Sequence, residues 1–292
     1  MRRDLVEALV EATSAPGTSL ARSALVIARI EYPRLDPDLY LARLDAMGEG
    51  ARRHIEQRTA EADDRSAATC IQALNEYLFD ELKFAGNRQR YEDPRNSCLN
   101  EVLERRTGIP ITLSLVYMEV AARAGLQVDG VNFPGHFLVR CPERNGRTRS
   151  GIIIDPFHKG ALLTEHDCRT LLRRHVGEDA PFRRTLLTAA TRQQVIVRML
   201  LNLKRIYVQM RSFPQAHDVA NLLLAITPSA LGELRDRGLL AYHLNDVSGA
   251  LRDLQTYLKL ASMSEADDDA SEDREQVWEH IKMLRRRVAS LN

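Results

Sequence analysis

Residues 96–140 read NSCLNEVLERRTGIPITLSLVYMEVAARAGLQVDGVNFPGHFLVR, and residues 154–160 read IDPFHKG. In the middle of the first stretch, Pro110 suits the first turn of a helix, and Gly125 suits the position just after its last turn. The residues between them, ITLSLVYMEVAARA, supply a largely apolar helical body. The stretch therefore predicts one well-delimited helix immediately before an extended region.

Beyond Gly125 the apolar residues change from helical to extended spacing. Three strands are predicted, at residues 127–133, 136–141 and 151–155. The segment ERNGRTRS joins the last two, and its Asn145-Gly146 pair is typical of a hairpin turn. Helices that precede an antiparallel sheet of this kind predict an α+β fold.

The first third of the chain shows apolar residues at helical spacing, which indicates packing faces rather than chemistry. Helices are predicted at residues 24–30, 35–47 and 70–82. Leu39 belongs to the apolar side of the second of these. A shorter helix is expected from Asn96 or Ser97 to about Arg106, because Asn and Ser are favourable N-caps.

The C-terminal part matches the 34-residue tetratricopeptide pattern when Pro228 is taken as the end of one unit. The packing positions of that unit are then occupied by Leu200, Leu203, Tyr207, Ala216, Ala220 and Leu223. The corresponding positions of a second unit are occupied by Gly238, Ala250, Leu254 and Tyr257. Residues 265–273 are expected to be a solvated linker. A capping helix follows, with Val277, Ile281, Leu284 and Val288 on one face.

The length of 292 residues favours two domains. The first is predicted at residues 1–185, as an α+β domain with a helical N-terminal part and a short antiparallel sheet. The second is predicted at residues 186–292, as all-α tetratricopeptide-like repeats with the capping helix.

Composition narrows the classes of partner. Lys and Arg number 41 against 40 for Asp and Glu, so no overall charge attracts nucleic acid. No apolar run is long enough to span a bilayer, and Asp4, Glu7 and Glu11 interrupt the apolar N-terminus. A protein or peptide, recognised locally, is the expected partner, rather than nucleic acid or membrane. Composition carries no signal for the oligomeric state.

The cysteines indicate the compartment. Cys70, Cys98, Cys141 and Cys168 are scattered, with no pair or Cys/His cluster at zinc-ligand spacing. We therefore predict a cytoplasmic protein without disulfides, cofactor or metal.

Two short segments contain the residues that suit catalysis. His136 lies in Pro-Gly-His-Phe at the start of one predicted strand, and Asp155 lies in Ile-Asp-Pro-Phe at the end of the next. On neighbouring antiparallel strands their side chains are within reach of a hydrogen bond, which orients an imidazole as a general base. The same pair could equally serve structure by fixing two strands together. A catalytic reading requires a nucleophile from a preceding helix.

The two quoted stretches together closely resemble the SirB-type proteins, in which a transglutaminase-like domain precedes tetratricopeptide units. Residues 20–47, LARSALVIARIEYPRLDPDLYLARLDAM, resemble the start of that domain, so the likeness covers roughly residues 20–260. The resemblance implies a papain-like fold in which His136 and Asp155 match the His and Asp of the transglutaminase triad.

The triad nucleophile has two candidate positions. The helix that precedes the strands opens with Ile111, Thr112 and Ser114, so Thr112 is one candidate, although its hydroxyl ionises poorly near neutral pH. Cys98 is the other. It stands in the first turn of the shorter predicted helix and ahead of Gly108-Ile109-Pro110, and transglutaminases show a similar tripeptide after their cysteine helix.

Two functions follow from these positions. The first is a non-catalytic regulatory or protein-interaction protein on a transglutaminase-like scaffold, since no thiol begins the helix before the strands. The alternative is a cysteine-dependent acyl transferase or peptide or amide hydrolase, with Cys98 as nucleophile, His136 as base and Asp155 as the residue that orients it.

Overall fold

The computed structural model describes residues 3–15, 17, 19–142, 151–262 and 269–289. Its α-helices are α1 Arg3–Ser14, α2 Leu20–Ala28, α3 Pro37–Ala62, α4 Ala67–Asn75, α5 Leu99–Arg105, α6 Pro110–Arg123, α7 Glu165–Val176, α8 Arg192–Gln209, α9 Phe213–Ile226, α10 Leu231–His243, α11 Val247–Ala261 and α12 Asp269–Ala289. Its strands are β1 Ala85–Gly86, β2 Thr107–Gly108, β3 Asp129–Val131, β4 Leu138–Pro142, β5 Gly151–Asp155 and β6 Ala161–Leu163. A π-helical segment, Glu76–Glu81, continues α4, and 3₁₀ helices lie at Pro94–Ser97, Pro156–His158 and Arg184–Leu187.

The chain divides into two compact units. One is Glu11–Met199, and the other is Leu200–Asn292 together with Met1–Val10. Among the described residues, the six strands all lie in the first unit, and the regular elements of the second unit are helices. The boundary expected between residues 185 and 186 stays a prediction.

Helix α6 is the central helix of the first unit. It begins at Pro110 and gives way to Gly125, whose φ of +84° lies in the left-handed region that glycine adopts without strain. Every residue from Pro110 to Ala121 is buried, which agrees with the largely apolar sequence of this helix. The helix predicted between Pro110 and Gly125 is confirmed.

The sheet of the first unit is antiparallel in the order β3-β4-β5-β6. The three predicted strands are confirmed, with β3 and β4 beginning two residues later than expected. Strand β6 was not predicted because it is only three residues long and two of those residues are exposed. A two-residue parallel pairing of β1 with β2 also escaped prediction. The turn expected at Asn145-Gly146 lies outside the described residues.

The sheet is packed against helices. Leu138 and Ile153, on neighbouring strands, form a buried cluster with Cys168, Leu171 and Leu172 of α7. Helix α6 contacts β3 and β4. Successive strand residues point to opposite faces, and the consecutive residues Ile153 and Ile154 are both buried, so both faces of the sheet are covered at β5.

Two helices of the N-terminal part, α3 and α5, differ from the sequence-based predictions. Helix α3 begins at Pro37 after the N-cap Asp36, and Leu39 is 63% exposed rather than buried. The shorter helix α5 begins at Leu99, so Cys98 is its N-cap and not part of its first turn. Asn and Ser fall instead in the 3₁₀ helix Pro94–Ser97 that precedes it.

The second unit buries the residues expected to pack between its helices. The buried residues are Leu200, Leu203, Tyr207, Ala216, Ala220, Leu223, Gly238, Ala250, Leu254 and Tyr257. Val277, Ile281 and Leu284 of α12 are buried as predicted, whereas Val288 lies outside the described side chains. The expected linker is wrong for residues 269–273, which are helical, and residues 265–268 lie outside the described part.

Ala250→Leu should destabilise the second unit by about 1–3 kcal/mol, because added methylenes in a filled core force side chains and backbone apart. Ala250 is fully buried in the cluster that contains Ala241 and Leu254. A Cβ on Gly238 would lie 2.8 Å from Leu254, so α10 and α11 are already in close contact. Urea unfolding would measure the change. Gln255→Leu, at an exposed position of α11, is the matched control, and equal stabilities of the two variants would contradict this packing.

Candidate functional site

His136 and Asp155 are brought together at one end of the sheet. His136 stands just before β4, and Asp155 is the last residue of β5. Nε2 of His136 lies 3.0 Å from Oδ2 of Asp155, and the two residues are only 5% and 2% exposed. Because an ionised carboxylate only accepts hydrogen bonds, this contact places a proton on Nε2.

The Asp155 carboxylate has a full set of partners. Its Oδ1 accepts hydrogen bonds from the backbone amides of Phe157 at 3.0 Å and His158 at 3.4 Å, which caps the 3₁₀ helix Pro156–His158. Its Oδ2 is also 2.7 Å from Nδ1 of His158. Burial by itself would raise the pKa of Asp155, but the hydrogen bonds and charges of His136 and His158 outweigh it and lower that pKa.

Two further histidines, neither of them predicted as a site residue, are close neighbours of His136. The ring centroids of His158 and His175 lie 5.9 and 5.6 Å from that of His136, both in stacked arrangements. The spacing of His158, three residues after Asp155, was a usable signal because a strand-ending turn folds back on itself. His175 lies on α7, far from His136 in the sequence, and no local motif predicted their contact. Burial, then the charge of His136, lowers the pKa of His175.

Glycines at two turns of the site allow close contacts with neighbouring helices, Gly135 with His175 and Gly160 with Asn75. Gly135 has a φ of +70°, and a Cβ there would overlap the side chain of His175. Gly160 has a φ of +73°, and its carbonyl accepts a hydrogen bond from Nδ2 of Asn75 at 2.9 Å. The Tyr117 hydroxyl of α6 donates to Oδ1 of the same Asn75 at 3.0 Å. The turns before β4 and after β5 are thus anchored to surrounding helices.

Cys98 occupies a different environment. Its side chain is buried, and burial raises the pKa of its thiol, with the carboxylates of Glu31, Glu101 and Asp93 acting in the same direction. Within residues 19–142 and 151–262, no hydrogen bond joins its sulfur to His136.

Thr112 is engaged in capping α6. Its hydroxyl donates to the Asn96 carbonyl at 2.7 Å and accepts from the Ile109 amide at 3.1 Å. The side chain is fully buried. In the part of the chain that the structure describes, Thr112 forms no hydrogen bond with His136.

Three side chains of the site offer convergent ligand atoms. His136, Asp155 and His158 place one atom each within 4.8 Å of one another, and they form the one such group among the described residues. Neither metal nor cofactor was expected, because the four cysteines show no metal-ligand spacing and these three ligands lie in two short segments that are separated in the sequence.

Comparison with known proteins identifies the two parts of the chain. Residues 38–201 match the profile of the transglutaminase-like superfamily. This chain belongs to that superfamily. Residues 203–281 match a tetratricopeptide repeat profile, so the transglutaminase-like domain is followed by repeats, as the resemblance to SirB-type proteins implied. The predicted α+β fold followed by an all-α repeat is confirmed.

Relatives of this transglutaminase-like chain occur in bacteria and animals. It is 41% identical over 244 residues to a UPF0162 protein of Xylella fastidiosa, covering 82% of this chain and 83% of that one. It is 33% identical over 190 residues to a UPF0162 protein of Pseudomonas aeruginosa, covering 65% of each. It is 37% identical over 182 residues to F-box only protein 21 of Homo sapiens, covering 60% of this chain and 28% of that protein. Among the described residues, no helix combines the length and the apolar character that are needed to cross a membrane.

Proposed function

We propose that this protein is a non-catalytic interaction or regulatory protein of the cytoplasm, in which the transglutaminase-like domain serves as a scaffold. The observation that carries the proposal is the environment of Cys98. Its thiol is buried beside carboxylates, while His136 makes its hydrogen bond to Asp155. The expected partner is a protein or peptide rather than nucleic acid.

The electrostatics at Cys98 oppose thiolate formation. As N-cap of α5 the sulfur stands near the positive end of a helix dipole, which is worth about 0.3–1 kcal/mol to an anion. Moving a charge out of water costs several kcal/mol, which exceeds that gain. Glu31, Glu101 and Asp93 add repulsion, which outweighs the opposing charge of Arg105. A cysteine nucleophile requires the reverse balance, with a lowered pKa and partial exposure.

The repeat supplies surfaces suited to a partner. Stacked helical hairpins commonly bind peptides or helices. The second unit exposes several large apolar side chains, namely Leu201, Val208, Met210, Leu244, Leu260, Trp278 and Met283. Aromatic and methionine side chains are enriched at protein interfaces. The similarity to part of a longer F-box only protein also supports use of this domain as a module within larger proteins.

A cysteine acyl transferase or amide hydrolase is the second candidate. One observation favours it: the buried His136–Asp155 pair has the geometry that orients an imidazole as a general base. This candidate requires Cys98 to become accessible and to approach His136.

Iodoacetamide labelling separates the two candidates, because only the thiolate reacts and each unit of raised pKa removes a factor of about ten in thiolate. At pH 6 to 7 we expect Cys98 in the folded protein to be labelled at least about 100-fold more slowly than in urea. Peptide mass spectrometry at timed intervals would quantify each cysteine. Cys70, which is only partly buried, is the internal control and should be labelled faster than Cys98.

Labelling of Cys98 faster than a free cysteine near pH 6 would contradict the proposal and support the acyl-transfer candidate. In that case Cys98→Ser should abolish the fast reaction, and His136→Gln should slow it.

A further inference from the structure

We propose that His136, Asp155 and His158 form a binding site for a divalent transition-metal ion of the Zn²⁺ class. The inference is independent of the proposed interaction function. It rests on three ligand atoms that converge at the ends of two neighbouring strands: Nε2 of His136, Oδ2 of Asp155 and Nδ1 of His158.

The spacing of these atoms is close to that of a metal centre. Zinc–nitrogen and zinc–oxygen bonds of about 2.1 Å in a tetrahedral site separate neighbouring ligand atoms by about 3.4 Å. The two nitrogens lie 3.0 and 2.7 Å from Oδ2, and all three atoms are within 4.8 Å of one another. Binding of an ion therefore requires each of the two nitrogens to move less than about 1 Å farther from Oδ2. Rotation of the half-exposed His158 ring supplies such a movement.

The contacts of Asp155 exceed what orientation of one imidazole requires. Two backbone amides already hold Oδ1, which fixes the direction in which Oδ2 points. One histidine on Oδ2 would complete an orienting pair, but the structure places two there. A cation in place of the protons of these two hydrogen bonds would be bound by the carboxylate and by both nitrogens at once. The amides on Oδ1 then act as the outer contacts that position a metal ligand.

The ligand set indicates the class of ion. Two imidazole nitrogens and one carboxylate suit Zn²⁺, Fe²⁺, Co²⁺ or Ni²⁺, whereas Mg²⁺ and Ca²⁺ prefer oxygen ligands. Three protein ligands leave at least one coordination position for water or another ligand. The side chain of His158 is 35% exposed, so an ion has a path from solvent, while His136 and Asp155 are buried.

Titration of the metal-free full-length protein with Co²⁺ and Zn²⁺ tests the proposal. Co²⁺ absorption reports the ligand environment, and calorimetry with Zn²⁺ reports stoichiometry. We expect one ion to bind per chain, and His158→Gln to weaken Co²⁺ binding at least about 10- to 100-fold. His158→Gln is preferred to a change at Asp155 because a half-exposed side chain can be replaced without disturbing the fold.

His166→Gln is the matched control, since His166 is exposed on α7 and lies outside the ligand group. Its Co²⁺ affinity should equal that of the unchanged protein. Equal binding by the His158→Gln variant, or absence of stoichiometric binding in the unchanged protein, would overturn the proposal. Loss of binding in His175→Gln with His158→Gln unaffected would also overturn this ligand assignment.

Discussion

Asp155→Ala should lower the free energy of unfolding by about 3–5 kcal/mol at neutral pH, because it removes the acceptor of several buried hydrogen-bond donors at once. The substitution leaves the amides of Phe157 and His158 without their acceptor. It also removes the acceptor of the buried His136 ring. Each buried donor left unpaired costs about 1–3 kcal/mol, which is consistent with the total.

Urea unfolding with a chelator present would measure this change without a contribution from metal. Glu178→Ala is the control, because Glu178 is exposed and surface changes usually stay within about 0.5 kcal/mol. A loss below about 1 kcal/mol in Asp155→Ala would mean that the His136–Asp155 pair contributes little to the fold.

The contribution of Asp155 should depend on pH in a definite direction. Its pKa in the folded protein is lowered, so the folded state holds the proton less tightly than the unfolded state. The stabilisation is therefore fully present above the unfolded value, about 3.9, and is lost as the pH falls through the folded value. The stability difference between the unchanged protein and Asp155→Ala should narrow in that acid range. A difference that stays constant down to pH 2 would contradict the lowered pKa.

Gly135→Ala should lower the free energy of unfolding by about 2–5 kcal/mol. A φ of +70° is strained for any residue with a Cβ, which costs about 1–2 kcal/mol. The added Cβ would also overlap the Cβ and ring of His175, and overpacking of this kind costs about 1–3 kcal/mol. The backbone must shift to relieve the overlap, because a Cβ has no rotamer of its own.

Gly125→Ala separates the two contributions. Gly125 has a φ of +84°, but nothing lies within 4 Å of its added Cβ, so it reports conformational strain alone. Thermal or urea unfolding should show a larger loss for Gly135→Ala than for Gly125→Ala. A double-mutant cycle with His175→Gly should recover the difference, since the overlapping side chain is removed. Equal losses for the two glycine variants would show that His175 does not pack against this turn.

The effect of substituting the His136–Asp155 pair bears on the proposed function. If His136 and Asp155 are structural elements of a scaffold, their substitution should mainly lower the stability of the protein. The same residues in an acyl-transfer enzyme would require an accessible thiolate as well, and the labelling of Cys98 tests that requirement directly.

Local signals in the sequence were sufficient for much of this fold. Pro110 and Gly125 delimit α6 because a proline without an amide hydrogen and a glycine with free φ act at the positions where they stand. The change from helical to extended spacing predicted β4 and β5, and their pairing as neighbouring antiparallel strands then placed His136 beside Asp155. The repeat could be predicted because small residues recur at the positions where the helices of such repeats cross.

The tertiary structure alone decided the environments of the candidate site residues. Cys98 and Thr112 were both candidate nucleophiles by position, but the burial of Cys98 and the capping hydrogen bond of Thr112 depend on residues from other elements. The approach of His175 to His136 depends on how α7 packs against the Gly135 turn. Leu39 shows the same limit, since an apolar residue at helical spacing is buried only if another element covers it. Periodicity and capping are properties of short segments, whereas desolvation and the convergence of side chains arise only when distant segments pack together.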